Sequence, residues 1–229
     1  MQKSCVQTWF LSDTQHHQLR VLLDLPDYKH LRLQSPSSNA GWFEVLVAPN
    51  LLVFNGDMGS FTWRRSGVPF DLFAHKELSP EQKAQGKLLY DNFPYWAEKL
   101  VAIDALRAPA PSIYEFDTAR FKAHVREVRL EWIRSARRHE LLSKEERREL
   151  WTAIDTQLLE PCSEFSGLED ALAVLCDFEW SSPSCESFSV QGDDLDPSNL
   201  TSFSTTFQWA CYAVALAHRL FHSSQTTAA

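Results

Sequence analysis

The chain has 229 residues, 44% of them hydrophobic, with 15 Phe, 8 Trp, 5 Tyr and a net charge of −8. A polypeptide of this size buries about 70% of its unfolded surface, so the composition excludes a disordered, collagenous or low-complexity chain. Only 7 glycines are present, too few for a protein built on glycine-rich loops.

Residues 3–17 read as a short helix spaced by Val6, Trp9 and Phe10. From Leu19 the period becomes two. Residues 19–25 form a strand that ends at the turn signal Pro26-Asp27, and residues 30–33 alternate in the same way. Residues 35–41 are a loop. Residues 42–47 are strand-like and stop at Pro49-Asn50. Residues 51–54 and 60–64 flank Asn55-Gly56-Asp57-Met58-Gly59, and Asn-Gly between β-rich runs is a strong hairpin signal. Residues 19–65 therefore read as an antiparallel meander of four or five strands.

After Pro69 the period is helical. Ser79-Pro80-Glu81-Gln82 and Ser143-Lys144-Glu145-Glu146 are capping boxes, each opening a helix. Residues 94–100 begin another helix. Asp117 caps a long one whose stripe is Phe121, Val125, Val128 and Trp132. The helix after Ser143 carries Leu150, Trp151, Ile154 and Leu158 and ends at Pro161. Residues 167–178 are helical, residues 181–199 read as a long Ser/Asp/Pro-rich loop, and residues 205–222 form a last helix, apolar nearly all round and hence buried. Strands that precede helices without alternation argue for an α+β fold, with helices on one face of the sheet. The expectation is one α+β domain over residues 1–229, β-rich over 19–65 and helical over 69–222.

The five cysteines, Cys5, Cys162, Cys176, Cys185 and Cys211, are odd in number and contain no Cys-x-x-Cys. They read as reduced thiols, neither a disulfide framework nor a zinc ribbon. No stretch has the length of a signal peptide or of the ~18 apolar residues that span a membrane. The expected setting is the cytoplasm, with no membrane contact.

Charge is spread unevenly. Residues 120–149 hold 10 basic and 6 acidic side chains, and residues 150–229 hold one basic residue, Arg219, and 11 acidic ones. The two blocks either balance one another, or the basic one meets phosphates, or the acidic one competes for a basic partner. Arg134, Arg137, Arg138, Lys144, Arg147 and Arg148 are the best nucleic-acid candidates. Glu131, Glu140, Glu145, Glu146 and Glu149 stand at helical distances from several of them, so salt-bridged solvation explains the same residues.

The loop around Asp57 resembles the strand-then-Gly-Asp start of metallophosphoesterases, where the Asp is a hard metal ligand. The Asn-His pair and later histidines that hold two ions are missing, and a hairpin turn accounts for the same residues. His218 and His222 stand at i, i+4 but lack the His-Glu-x-x-His base. No nucleophile elbow, phosphate loop or dinucleotide fingerprint occurs. The sequence reading thus assigns no catalytic residue, metal or cofactor. Arg64 and Arg65, with Lys29 and Arg32, read as an anion-binding edge or as charges that keep sheet edges apart.

One ordered set of motifs is more specific: His30-Leu31-Arg32-Leu33, Trp42-Phe43-Glu44-Val45, Gly56-Asp57-Met58-Gly59-Ser60-Phe61, Pro94-Tyr95-Trp96-Ala97-Glu98-Lys99-Leu100, and Phe207-Gln208-Trp209-Ala210. It resembles, over most of the chain, a group of uncharacterised proteins of tailed bacteriophages and prophages. Two departures are Asn50, where that group tends to have Gly, and residues 76–92, which read as a variable insertion. The resemblance implies a non-enzymatic accessory protein in the host cytoplasm that binds a host or defence protein and inhibits it, an anti-CRISPR-type role; the sequence leaves the oligomeric state open, a homodimer included. Asp57, Arg64, Arg65, Trp96 and Glu98 are then the binding residues to examine. The alternatives are a nucleic-acid-binding module using residues 120–149 and a metal-dependent phosphoesterase centred on Asp57.

Overall fold

The structure is a computed structural model that describes residues 6–74, 76–84, 86–104, 112–190 and 196–227. Its elements follow the α+β order: helix α1 (Val6–Thr14), then strands β1 (Gln18–Asp24), β2 (Lys29–Gln34), β3 (Phe43–Ala48), β4 (Leu51–Gly56) and β5 (Gly59–Arg64). A 3-10 turn at Pro69–Phe73, short helices α2 (Pro80–Ala84) and α3 (Phe93–Glu98), and strand β6 (Leu100–Ile103) follow. The six strands pair antiparallel in sequence order, β1 to β6. The chain divides into two compact units, residues 1–113 with 203–229, and residues 114–202.

In the first unit the alternation seen in the sequence becomes the inner face of the sheet. Leu31 pairs with Val45, Val45 with Phe54, and Phe54 with Phe61, so one register row crosses four strands with every member buried. The last helix, α7 (Thr205–Thr227), and α1 complete the same core. Residues 209–214 of α7 are all buried. The Trp209 ring meets Phe10 at 5.2 Å, Phe43 at 5.6 Å and Phe54 at 6.3 Å, each edge-on, the arrangement that aromatic quadrupoles favour.

Two turns explain their own residues. Between β3 and β4, Asn50 has φ +61°, a backbone region that Asn and Gly both enter. Between β4 and β5, Asn55 and Gly56 belong to the strand and Asp57-Met58 forms the tip, with Gly59 at φ +106° closing it. The sequence places the Asn-Gly signal in the right hairpin but two residues early.

The second unit holds β7 (Tyr114–Phe116), α4 (Thr118–Arg138), α5 (Lys144–Ile154), α6 (Leu168–Asp177), and strands β8 (Glu179–Ser182) and β9 (Cys185–Ser189). A short strand, β10 (Thr201–Phe203), pairs with β7. Its core is separate: Phe121, Val125, Leu150, Ile154, Leu158, Leu175 and Phe178. Asp117 caps α4 by accepting from the Ala119 and Arg120 N–H groups, and Ser143 and Glu146 form the expected reciprocal cap on α5. Ser79 and Gln82 do the same for α2, at 2.9 and 3.2 Å.

The sheet has one strand more than expected, because the helix beginning at Pro94 stops at Glu98 and the run Leu100-Val101-Ala102-Ile103 pairs with β5. The expected loop over 181–199 is corrected too. Trp180 pairs with Phe188 in a β8–β9 hairpin, and both rings are among the apolar groups packed on the second core. Residues 191–195 lie outside the described residues. Among the described cysteines, Cys162, Cys176 and Cys211 are free thiols, and burial pushes the Cys211 thiol well above its usual range.

Candidate functional site

Asp57 sits at the β4–β5 tip with its backbone N–H donating to the Trp42 carbonyl (3.2 Å) and its carboxylate accepting from the Gly41 N–H (2.6 Å). That ties the hairpin to the loop that enters β3. Among the described residues, the side chains whose donor atoms converge closely enough to hold a metal ion lie elsewhere and do not include Asp57.

Arg64 and Arg65 are at the opposite end of β5. A six-residue strand spans roughly 17 Å, so the arginines and Asp57 do not meet. Arg64 donates its N–H to the Lys99 carbonyl and Arg65 to that of Asn50. Glu98 is exposed and pairs with Lys99 at 2.6 Å, raising the Lys99 pKa. Trp96 is 1% exposed: its indole N–H donates to the Leu72 carbonyl (3.0 Å), and its ring lies 4.9 Å from Phe73. Lys29 bonds Asp24 (2.8 Å) and Arg32 bonds Glu44 (2.8 Å), so neither adds free positive charge to Arg64 and Arg65.

An exposed apolar surface lies at the β1 edge instead. Among the described residues, β1 has a strand neighbour on one side only. Val21, Leu22, Leu23, Leu25 and Tyr28 follow one another along it and its turn, each 41–49% exposed. A bulge between Val21 and Leu23 makes Leu22 an extra residue and disrupts the alternation. Natural sheet edges are usually short, charged or covered, whereas this one is seven residues long and carries the apolar run Val21–Leu23 between Arg20 and Asp24. The sequence signal was the triplet Val21-Leu22-Leu23 inside an alternating strand. What it lacked was the knowledge that β1 is terminal.

In the basic segment, Arg134, Arg137, Arg138, Lys144 and Arg148 are exposed, and Arg147 is half-buried with its guanidinium donating to the Leu142 carbonyl (2.5 Å). The expected ion pairs to Glu131, Glu140, Glu145, Glu146 and Glu149 do not form within 4.0 Å among the described residues. Glu146 is engaged otherwise: the Ser143 backbone N–H, then the Ser184 hydroxyl, hold its pKa down at about 2. Lys144, Arg147, Arg148 and the exposed Trp151 border one open hollow on the α5 side. Arg129 is buried, bonds Asp155, and lies 3.6 Å from the Trp151 ring centroid.

A cavity of about 240 Å³ opens in the first unit among Phe10, Leu11, Phe73, Tyr90, Tyr212 and Leu216, with Arg219 among its lining residues. Gln7 donates to the hydroxyl of Tyr212, one of the lining residues (2.9 Å), and accepts from the Leu88 N–H (2.7 Å), which satisfies the buried amide. Its volume falls below the roughly 300–1,000 Å³ of small-molecule sites.

No family model matches this chain, and no curated protein or solved structure matches it. No helix among the described residues is long and apolar enough to cross a membrane.

Proposed function

We propose that the chain is a protein-binding accessory factor that docks a partner along the β1 edge. The observation that carries this reading is the run of half-exposed apolar side chains, Val21 to Tyr28, on a strand whose outer main-chain side has no neighbouring strand among the described residues. Main-chain hydrogen bonds to an added strand supply affinity in such a mode, and side-chain pockets supply selectivity. Burying the exposed remainder of one leucine is worth about 0.6–1.4 kcal/mol, given ~1.5–3 kcal/mol for the whole side chain. Leu22 and Leu25 together thus account for roughly 10–100-fold in affinity. The phage resemblance supplies the class of partner: a host or defence protein in the host cytoplasm, whose action the bound chain would inhibit, as an anti-CRISPR-type protein does.

A photoreactive side chain at position 28, on the same exposed run, tests this against lysates of candidate hosts. The expected result is a crosslinked protein that Leu22→Lys/Leu25→Lys loses and that Val101→Lys, on the opposite edge, retains. A captured protein indifferent to the β1 substitutions would refute the reading. A second copy is a defined outcome of the same experiment: with Leu22 opposite its own symmetry mate, Val21 faces Leu23 and Arg20 faces Asp24. Light scattering distinguishes that homodimer from a foreign partner.

A second reading rests on the exposed Arg134, Arg137, Arg138, Lys144 and Arg148, whose positive charge lacks intrahelical ion pairs among the described residues. It is nucleic-acid binding by residues 120–149. Affinity for duplex DNA or RNA should then fall steeply with salt and disappear on charge reversal at Arg137, Arg138 and Arg148. Mobility unchanged by nucleic acid at low salt would end it.

A further inference from the structure

We propose that Asp71, His218 and His222 form a binding site for a divalent transition ion of the zinc type in the first unit, independent of the β1 edge. The sequence shows the two histidines at i, i+4 but no third donor. The structure supplies it: Asp71, in the 3-10 turn Pro69–Phe73, brings a carboxylate oxygen to the same place, and one donor atom from each of the three side chains lies within 4.8 Å of the others. His218 Nε2 is 3.6 Å from Asp71 Oδ1, and the two imidazole rings are 4.3 Å apart.

These distances are close to what one ion requires. Zinc bonds of about 2.0–2.2 Å in a tetrahedron put neighbouring donors about 3.3 Å apart. The Asp71–His218 separation is within a few tenths of that, and side-chain rotation has to close the remainder at the exposed Asp71 and His222. His218 is the fixed member: it is 9% exposed, and its ring lies 4.8 Å from Phe70, 64° from coplanar. The helix carries the geometry, since residues four apart share one face. α7 also runs to Thr227, so His222 stands inside a formed helix and not at the frayed end that the sequence suggested.

The donor set selects the metal. Two imidazoles and one carboxylate suit Zn²⁺ and neighbouring transition ions, whereas Mg²⁺ and Ca²⁺ prefer oxygen alone. Three protein donors leave a fourth tetrahedral position for water or for a donor from another molecule. A bound ion would clamp the turn after β5 to the C-terminal helix.

The experiment uses the full chain, stripped with a chelator and titrated with Zn²⁺ alone, with Co²⁺ as a spectroscopic probe. The expected result is one equivalent of Zn²⁺ and a visible Co²⁺ absorption of tetrahedral intensity. His222→Ala and Asp71→Asn should each weaken binding by at least the roughly 10–100-fold that even outer-shell changes produce. His139→Ala, on an exposed residue of the second unit, should leave it unchanged. Circular dichroism and metal-free thermal unfolding establish that the two exposed-site variants remain folded. Absence of stoichiometric Zn²⁺, or equal affinity in the wild-type chain, His222→Ala and Asp71→Asn, would overturn the proposal. Zinc that survives in His222→Ala but is lost on changing His16 and His17 would do so as well.

Discussion

Gly56→Ala offers a quantitative test of the hairpin that carries Asp57. Gly56 lacks the positive φ found at Gly41, Gly59, Gly67 and Gly86, so its conformation alone would admit alanine. Space does not. A Cβ there would lie 2.6 Å from the Trp42 carbonyl oxygen and 2.8 and 2.9 Å from Phe43 Cβ and Cα. These are main-chain or first side-chain atoms at the start of β3, which is paired on both sides, so relief requires backbone movement at the Phe43–Gly56 rung. Overpacking of this kind costs about 1–3 kcal/mol. Stretching the adjacent Asp57 N–H to Trp42 bond removes about 1 kcal/mol more. Loss of unfolded-chain freedom returns about 0.4–1 kcal/mol. The net is a destabilisation of about 1–3.5 kcal/mol, or roughly 2–14 °C at 2–4 °C per kcal/mol for a chain of this size. Gly167→Ala is the control, because an added methyl there would meet no atom within 4 Å and its φ is extended at 177°. Urea unfolding followed by tryptophan fluorescence measures both. A Gly56→Ala variant as stable as Gly167→Ala would refute the steric argument.

Two further predictions concern the second unit. Asp155→Asn leaves the buried Arg129 guanidinium without its counter-charge and should cost toward the lower end of the ~3–5 kcal/mol typical of half-broken buried pairs, since solvent reaches Asp155. Arg129→Met, which removes the charge but keeps the bulk against Trp151, should cost less, and the reverse ranking in urea midpoints would contradict this account. Folding lowers the Glu146 carboxyl from 4.5 to about 2, so the stability it contributes is complete above 4.5 and is lost as pH falls towards about 2. Glu146→Gln keeps the cap geometry without the titration. Its unfolding free energy should vary less with pH across that window than that of the wild-type chain, and parallel curves would count against the assignment.

The fold was legible wherever a local period or a local hydrogen bond determines it. Alternation at Leu31, Leu33, Phe43, Val45, Leu52 and Phe54 marked the inner face of the meander, and all six are buried. The Ser143–Glu146 box and the Asp117 cap were legible because their donors and acceptors lie within three residues. The β8–β9 hairpin was hidden because its serines, glutamates and cysteine carry little apolar signal, while Trp180 and Phe188 pair with each other and pack on a core defined by remote helices. Trp96 shows the converse limit. Its aromatic motif was clear, but only the long-range bond to the Leu72 carbonyl and the Phe73 ring reveal that it faces inward. The Asp71–His218–His222 group failed in the sequence for the same reason: its third donor is on a turn far from α7 in the chain.

The distribution of perturbed ionisable groups bears on where activity resides. In catalytic clefts, shifted pKa values gather where desolvation and partner charges act on the same few side chains. Among the described residues, the carboxylates held below their usual range are Glu81, Glu146, Asp170 and Asp196, each by a nearby serine, Ser79, Ser143, Ser166 or Ser198, at the start of a helical segment. Their shifts follow from local turn chemistry, and they are dispersed over both units. Lys99 is raised by its exposed neighbour Glu98 and Cys211 by burial alone. The features that local capping and core packing leave unexplained are different in kind: a long apolar strand edge, an exposed cluster of bases, and two imidazoles meeting a carboxylate. The β1 edge combines a run of exposed apolar side chains with an outer main-chain side that has no neighbouring strand among the described residues. An added strand can use both at once, which is why that edge carries the functional reading.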